Sequence, residues 1–286
     1  MTGGPRRPGL VVRLEANRPT VRLDDGTVWL AHLSGRVKRR TGPILVGDRV
    51  EVEPIDDRTG VVVAVAPRGV TLARPPVANV TGLGVVFTLQ DPAGSLDLLD
   101  RRLVLAELSD LAAVVIAHKA DLVDPARRIV LEPWAGVYPV LWTSARTGEG
   151  LDEAAAALAR GLFVLTGESG AGKTSLLEAL VPGSAGRAQT LGRQGRGRQT
   201  TRVVSLVPVA GGWLADTPGF THLDLPRVSA ARLAAAFPEW RGVRCRFANC
   251  RHAGEPGCAV ADRVAAGSVS AVRYAHYRRY LAEMAS

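Results

Sequence analysis

The stretch Gly161–Leu180, GLFVLTGESGAGKTSLLEAL, contains the pattern Gly-x-x-x-x-Gly-Lys-Thr, which is typical of phosphate-binding P-loops. The apolar run Leu162–Leu165 comes directly before the pattern and predicts a buried strand. Leucines that share one face of Thr174–Leu180 predict the beginning of a helix. The sequence therefore predicts a strand, a glycine-rich loop and a helix in the order that a P-loop requires.

The residue types of this loop suit phosphate chemistry. Glycines let backbone N–H groups close around phosphate oxygens, and the helix N-terminus adds partial positive charge. Lys173 supplies a cation to the terminal phosphates, and Thr174 offers a hydroxyl to Mg²⁺. The motif alone does not choose between ATP and GTP.

A second motif, His118-Lys119-Ala120-Asp121, follows the strand-like run AAVVIAH and is similar to the Asn-Lys-x-Asp base-recognition motif of GTPases. A carboxylate at Asp121 accepts hydrogen bonds from both N1–H and the exocyclic amino group of guanine, a donor pair that adenine lacks. Lys119 is expected to lie along the base and the P-loop. His118 stands where the motif usually has Asn. The alternative is a helix-entry turn capped by Asp121.

A third loop, Thr143-Ser144-Ala145, is similar to the Ser-Ala loop that lies behind the base in GTPases. By itself the tripeptide is common and carries little information. Its position after a strand and downstream of His118–Asp121 favours the base-binding interpretation, with Ser144 and Ala145 as the contacting residues.

Two segments after the P-loop predict nucleotide-sensing switches. Residues 187–202 are rich in arginine and glycine and contain Thr200 and Thr201; Thr201 is favoured as the Mg²⁺ and γ-phosphate ligand, and a plain basic loop is the alternative. Asp216-Thr217-Pro218-Gly219 follows a predicted strand, so Asp216 is expected to hold Mg²⁺ through water and the Gly219 N–H to sense the γ-phosphate. Phe220 stands where many GTPases place a water-orienting Gln, which predicts slow intrinsic hydrolysis.

The net charge of +9 makes a polyanionic partner plausible, and nucleic acid is favoured over a membrane. Arginine carries nearly all the positive charge, because the only lysines are Lys38, Lys119 and Lys173. Two of these three lie in the nucleotide motifs. The sequence has no apolar run of 18 residues and no secretory signal pattern, so a cytoplasmic location is expected.

We predict three domains, at residues 1–72, 73–226 and 227–286, and the Pro-rich joint at residues 73–79 marks the first boundary. The first has short alternating strands and the hairpin turn Asp25-Gly26, which predict an OB-type barrel that binds RNA. Its basic segment with Arg36, Lys38, Arg39 and Arg40 is predicted to be a loop that meets phosphates or is simply solvated. The second alternates strands and helices, which predicts a mostly parallel sheet.

All three cysteines lie in Cys245-x4-Cys250-x-His252-x5-Cys258. Three thiolates and one imidazole satisfy a tetrahedral Zn²⁺ site, and four protein ligands indicate a structural ion. The alternative is buried or stray cysteines. The final stretch, SVSAVRYAHYRRYLAEM, predicts a helix whose arginines and tyrosines either grip RNA or form a packed helix with a solvated basic face.

The order of the motifs is itself informative, because base recognition precedes the P-loop. With that order, RPPVANV, LLDRRLVLAE, DTPGF and CRFANCRHAGEPGCAV, nearly the whole chain resembles the circularly permuted, small-ribosomal-subunit-dependent GTPases of the RsgA/YjeQ family. The resemblance implies an OB barrel, a permuted P-loop GTPase domain and a small zinc-binding helical domain. It implies GTP and GDP with Mg²⁺, one structural Zn²⁺, and the small subunit with its rRNA as partner. The phosphate-binding residues that it implies are Gly167, Glu168, Ser169, Gly170, Ala171, Gly172, Lys173, Thr174 and Ser175.

The chain departs from the family pattern at two positions. His118 replaces the Asn of the base motif, and Gln199 stands where the family often has a histidine that is proposed to assist hydrolysis. We expect Gln199 to orient water in its place. The predicted activity is subunit-stimulated GTP hydrolysis by a monomer during late subunit maturation. The alternatives are an RNA-binding assembly protein that hydrolyses nucleotide weakly and an ATP-dependent P-loop protein.

Overall fold

A computed structural model describes residues 5–15, 18–184, 204–216 and 225–285. The chain forms two compact units. The first unit comprises Met1–Gly82, Leu151–Leu165 and Lys173–Phe220; the second comprises Leu83–Gly150, Thr166–Gly172 and Thr221–Ser286. The predicted three-domain bounds stay a prediction.

Five strands at the beginning of the first unit form a closed barrel. They are β1 (Arg7–Glu15), β2 (Arg18–Leu23), β3 (Val28–Leu33), β4 (Arg49–Pro54) and β5 (Thr59–Val65). They lie in the order β1-β2-β3-β5-β4, and β1 pairs with β4 to close the ring. Small β-branched side chains such as Val11, Val21 and Val62 fill the core and are fully buried. The predicted OB-like barrel is confirmed.

The basic segment after β3 is a helix, α1 (Gly35–Thr41), and the prediction of a loop was wrong. The Ser34 side chain accepts a hydrogen bond from the Val37 backbone N–H, which caps the helix, and Val37 packs into the barrel core. Lys38, Arg39 and Arg40 are exposed on the last turn, where cations interact favourably with the helix dipole.

The rest of the first unit contains strands and helices of an α/β layer. The short pair β6 (Leu72–Ala73) and β7 (Pro76–Val77) follows the barrel. The layer itself contains α4 (Leu151–Leu158), β11 (Leu162–Gly167), α5 (Lys173–Leu180), β12 (Ser205–Val209) and β13 (Gly212–Asp216). Strand β11 runs parallel to β13, and β13 is antiparallel to β12. The last residues of β11 belong to the second unit.

The second unit has an α/β part and a helical part. The α/β part contains β8 (Gly82–Phe87), α2 (Leu96–Leu108), β9 (Ala112–His118), α3 (Glu132–Ala135) and β10 (Val140–Thr143), with strand order β10-β9-β8. The helical part contains α6 (Ala230–Ala235), α7 (Ala259–Ala265) and α8 (Ala271–Ala285). Its core is aromatic: Phe237 stacks on Trp240, and the Tyr277 ring meets both edge-on.

No helix among the described residues is long and apolar enough to cross a membrane.

Candidate nucleotide and zinc sites

Two predicted base-recognition loops lie side by side because β9 and β10 are parallel and in register. Thr143 at the end of β10 pairs with His118 at the end of β9, so the following loops leave the same edge of the sheet. The Ser144 hydroxyl donates a hydrogen bond of 2.5 Å to Asp121 Oδ1 across the two loops. The structure thus brings together two motifs that are separated in the sequence.

The Asp121 carboxylate is held charged at this edge. Hydrogen bonds from Ser144 and then from Arg146 lower its pKa, and the Arg146 Nε lies 2.7 Å from Asp121 Oδ2. A charged carboxylate retains further acceptor lone pairs on both oxygens, as recognition of the guanine N1–H and amino group requires. Lys119 sits in the left-handed conformation (φ 59°), and its ammonium donates to the backbone oxygen of Asp91 in the loop between β8 and α2.

His118 links the base-recognition loops to the P-loop. Its side chain is buried, and Nδ1 lies 2.9 Å from the Thr143 hydroxyl oxygen. The opposite edge of the ring faces Gly172: a Cβ added to that glycine would lie 2.5 Å from His118 Cδ2. Burial, followed by the neighbouring Lys119 charge, lowers the His118 pKa, so the ring is neutral at neutral pH. A side chain at position 172 would therefore collide with the His118 ring, so this packing requires glycine.

The glycine-rich loop is also packed against the loop after β8. Gly170 and Gly172 have φ angles of +81° and +87°, which favour glycine, and a Cβ on Gly170 would lie 3.0 Å from the Pro92 ring. The Glu168 side chain accepts a 2.7 Å hydrogen bond from the Ser95 backbone N–H, at the beginning of α2. The Glu168 carboxylate therefore links the P-loop to the N-terminus of α2.

Four further residues that were predicted to bind nucleotide or Mg²⁺ lie in the first unit, at or near the ends of secondary-structure elements. Lys173 begins α5, and Thr174 and Ser175 are exposed on its first turn. Asp216 is the last residue of β13, and burial raises the pKa of its carboxyl group. A hydroxyl and a carboxylate are hard oxygen donors, so Thr174 and Asp216 fit the chemistry that Mg²⁺ prefers. A bound cation would favour the charged form of Asp216.

Several predicted residues lie outside the described residues. These are Gln199 and Thr201 with the alternative Thr200, and the second-switch residues Gly219 and Phe220. Their assignments stay predictions.

The three thiols and the imidazole of the predicted zinc site converge. The ligand atoms of Cys245, Cys250, His252 and Cys258 all lie within 4.8 Å of one another. The three Sγ atoms lie 3.4, 3.7 and 3.6 Å from His252 Nδ1. Tetrahedral coordination with Zn–S and Zn–N bonds of ordinary length places sulfur and nitrogen about 3.6 Å apart, so the donor set fits Zn²⁺.

The backbone around these ligands is fixed by neighbouring side chains. Tyr274 donates a 2.8 Å hydrogen bond to the backbone oxygen of His252, and Tyr277 donates to that of Arg251. The Glu255 carboxylate accepts from two backbone N–H groups of the same loop. Burial raises the pKa of the Cys250 thiol to about 12, so coordination has to displace a tightly held proton.

The C-terminal helix α8 is a packed helix, and the RNA-gripping interpretation was wrong for its inward residues. Arg273 is fully buried and pairs with Asp100 and with Glu239, the latter at 2.5 Å. Tyr277 and Tyr280 are also buried. The described basic residues that remain exposed on this helix are Arg278 and Arg279, and Arg279 is paired with an acidic residue of α2.

Sequence reasoning missed three residues that shape these sites: Ser95, Asp91 and Arg146. Arg146 directly follows Thr143-Ser144-Ala145, so its position gave a usable signal. Asp91 contributes only a backbone oxygen and Ser95 only a backbone N–H to these contacts. Because every residue has a backbone oxygen and nearly every residue has a backbone N–H, the residue types could not predict these contacts.

The chain is similar to known proteins over most of its length. The model of the family described as RsgA GTPase matches residues 65–226. A small ribosomal subunit biogenesis GTPase RsgA from Moorella thermoacetica is 44% identical, with 91% of each chain covered. Its counterpart from Thermotoga maritima is 36% identical, with 98% of this chain and 97% of the relative covered.

Solved structures agree with this result. The crystal structure of YjeQ from Thermotoga maritima superposes with a TM-score of 0.86 at 34% identity, and 99% of each chain is covered. The circularly permuted GTPase YloQ superposes with a TM-score of 0.81 at 28% identity, with 99% of this chain and 96% of YloQ covered. These likenesses confirm the predicted architecture of an OB-like barrel, a permuted P-loop GTPase domain and a C-terminal Cys₃His group. The chain belongs to the RsgA GTPase family, a family of GTP hydrolases.

Proposed function

We propose that this GTP hydrolase acts in the biogenesis of the small ribosomal subunit, binds that subunit through its rRNA, and is stimulated by it. The contact of His118 with Gly172 supports the nucleotide part, because the two loops that we assign to guanine recognition and to phosphate binding touch there. The names of the relatives at 36–44% identity support the ribosomal part. The net charge of +9 suits an RNA partner.

The proposed roles divide between the base and the phosphates. Asp121 accepts hydrogen bonds from the guanine edge, with Ser144 orienting the carboxylate, and Ala145 and Lys119 flank the base. Backbone amides of residues 167–175 and the Lys173 ammonium stabilise the negative charge that spreads over the phosphates during transfer. Thr174, Thr201 and Asp216 would hold Mg²⁺, and the ion would supply positive charge that offsets the charge of the phosphates.

We assign the positioning of the attacking water to the first of the two predicted switch segments, residues 187–202. Gln199 orients it, since a glutamine side chain both donates and accepts hydrogen bonds. The Gly219 N–H senses the γ-phosphate. Unchanged stimulated turnover in Gln199→Ala would show that this assignment is wrong.

The zinc ligands are proposed to hold one structural Zn²⁺ in Cys₃His coordination. The Sγ–Nδ1 separations support this, and four protein ligands leave no position open for chemistry. The protein is proposed to work as a monomer in the cytoplasm, where bacterial ribosomes are assembled.

The experiment that tests the proposal measures GTP and ATP turnover with and without purified small ribosomal subunits. We expect slow hydrolysis of GTP alone, strong stimulation by subunits, and no hydrolysis of ATP. Lys173→Ala is expected to lose at least about 100-fold in the stimulated rate, since it removes a preorganised charge at the phosphates. Arg263→Ala, which removes an exposed positive side chain from α7, is the control.

The two alternatives are less well supported. A mere RNA-binding assembly factor does not agree with the GTPase names of the relatives. An ATP-dependent protein would leave Asp121 without the donors that guanine provides. Equal turnover of ATP and GTP, or a lack of stimulation by subunits, would overturn the proposal.

A further inference from the structure

A groove of about 590 Å³ lies in the helical part of the second unit, between α6 and the loop that carries the first zinc ligands. We call it the arginine groove. Its apolar lining comes from Ala231 and Ala235 of α6, from Trp240 and from Val243. Three of the four predicted zinc ligands, Cys245, Cys250 and His252, also line the groove.

The arginine groove is lined by positively charged side chains. Arg241, Arg244 and Arg246 all line it, and among the described residues no aspartate or glutamate does. Arg241 is paired with Glu107, whereas Arg244 and Arg246 are exposed and form no ion pair with any other described residue. Two guanidinium groups are therefore available to an anionic ligand at the edge of an apolar surface.

A planar aromatic surface stands beside these arginines. The Phe247 side chain is 47% exposed, which is unusual for so large an apolar group, and Arg246 lies over its ring with the guanidinium carbon 5.5 Å from the centroid. An exposed aromatic ring next to arginine is the arrangement on which unpaired bases stack.

We propose that the arginine groove binds an unpaired nucleotide of RNA, with its base against Phe247 and the apolar lining and its phosphates at Arg244 and Arg246. This inference rests on the proposed function, and it names the part of the chain that recognises RNA single strands. A duplex offers no splayed base to such a groove, so the ligand is a loop, a bulge or a strand end.

The test measures fluorescence anisotropy of a labelled 12-nucleotide oligouridylate with the full-length, zinc-loaded protein. Arg244→Glu is expected to weaken binding about tenfold and to reduce the slope of log affinity against log salt by about 0.7 for each lost phosphate contact. Phe247→Ala is expected to weaken binding about 5- to 100-fold, the cost of one lost stacking interaction.

Two matched variants control for charge and for lost apolar surface. Arg263→Glu makes the same charge change at an exposed site on α7, and Ile129→Ala removes an exposed apolar side chain of the same unit. Both are expected to bind oligouridylate within about twofold of the wild type. Zinc content and basal GTP turnover of each variant report whether the protein is folded.

Several outcomes would overturn the inference. Wild-type binding by both groove variants would exclude the groove as an RNA site, and equal loss in Arg263→Glu would mean that net charge alone drives binding. Displacement by poly-aspartate at the same charge concentration as RNA would exclude base stacking. Absence of GTP turnover in the wild type, with groove-dependent RNA binding intact, would instead refute the proposed function and leave the groove assignment standing.

Discussion

The zinc-binding loop and the base-recognition loops of the second unit are held in place by different means. All four zinc ligands lie within Cys245–Cys258, and their spacing is local. The predicted base-recognition residues come from the ends of β9 and β10, and His118 among them packs on Gly172 of the P-loop. If the Cys₃His group holds the proposed Zn²⁺, one site depends on a metal, and the other depends on the shape of neighbouring strands.

This difference predicts where each site is vulnerable. A small loop closed by Zn²⁺ gains its folding free energy from the ion, since the ligands have no fixed arrangement in the unfolded chain. A site at parallel strand ends gains its order from the buried sheet beneath it, and single loop residues tune it. Loss of a ligand should therefore have large effects on the zinc loop, and changes in the base loops should have specific effects on the nucleotide.

The largest expected effect is on the zinc loop. His252→Ala removes one of four ligands and is expected to abolish stoichiometric zinc binding and to unfold the loop, because metal binding and folding are linked there. Zinc content by metal analysis and hydrogen exchange over residues 225–285 would measure it. His32→Ala, at an exposed histidine of the barrel, is the control and should keep the metal. Full zinc content in His252→Ala would contradict the assigned coordination.

The next effect concerns the buried charges beneath the zinc-binding part. Asp100 accepts hydrogen bonds from Trp134, Arg273 and His276 and is fully buried. Asp100→Asn would leave the Arg273 guanidinium with incomplete compensation, so we expect the free energy of unfolding to fall by about 3 kcal/mol. Denaturant unfolding would measure the change.

Asp262→Asn, at an exposed site on α7, provides the comparison and should change the free energy of unfolding by less than about 0.5 kcal/mol. Equal stability of the two variants would mean that α8 is not packed through this charge cluster.

A smaller effect is expected from pH at the base loops. Since burial lowers the His118 pKa below its usual 6.5, the unfolded chain binds the proton more readily than the folded chain does. The contribution of His118 to the free energy of unfolding should therefore be constant above about pH 6.5. It should decrease as the pH falls from there towards the folded pKa, by about 1.4 kcal/mol for each unit by which folding lowers the pKa. Thermal unfolding between pH 7.5 and 5 would show this.

The matched variant is His118→Asn, which restores the usual residue of the motif and removes the titrating group. Below pH 6.5, the free energy of unfolding should decrease less steeply in the variant than in the wild type. An identical pH dependence in both proteins would mean that other groups cause the decrease.

Sequence patterns predicted the local features and failed where contacts are long-range. The strand and the helix that were predicted on either side of the glycine-rich loop agree with β11 and α5, because a local apolar run and the spacing of leucines indicate them. The convergence of the three cysteines and His252 was also predicted, since their spacing in the sequence is short. By contrast, α1 was predicted to be a loop. That prediction relied on the run of basic residues and overlooked the Ser34 cap and the buried Val37.

The burial of Arg273 shows the same limit of prediction from sequence patterns. The arginine pattern of the C-terminal helix is compatible with an exposed basic face, and what makes Arg273 a core residue is a carboxylate on α2, far away in the sequence. The link between Glu168 and Ser95 also joins distant segments through a backbone N–H. No pattern of residue types near either position could have predicted those partners.

The measurement that tests the account most directly compares the turnover of GTP and of xanthosine triphosphate (XTP) by the wild type and by Asp121→Asn, with small ribosomal subunits present. If Asp121 reads the guanine edge, the amide NH₂ of Asn opposes the guanine donors, and kcat/KM for GTP should fall by about 100-fold or more. Xanthine has a carbonyl at position 2 that accepts from this amide, so turnover of XTP should rise. Unchanged GTP turnover in the variant would contradict the claim that these loops form one guanine nucleotide site with the P-loop.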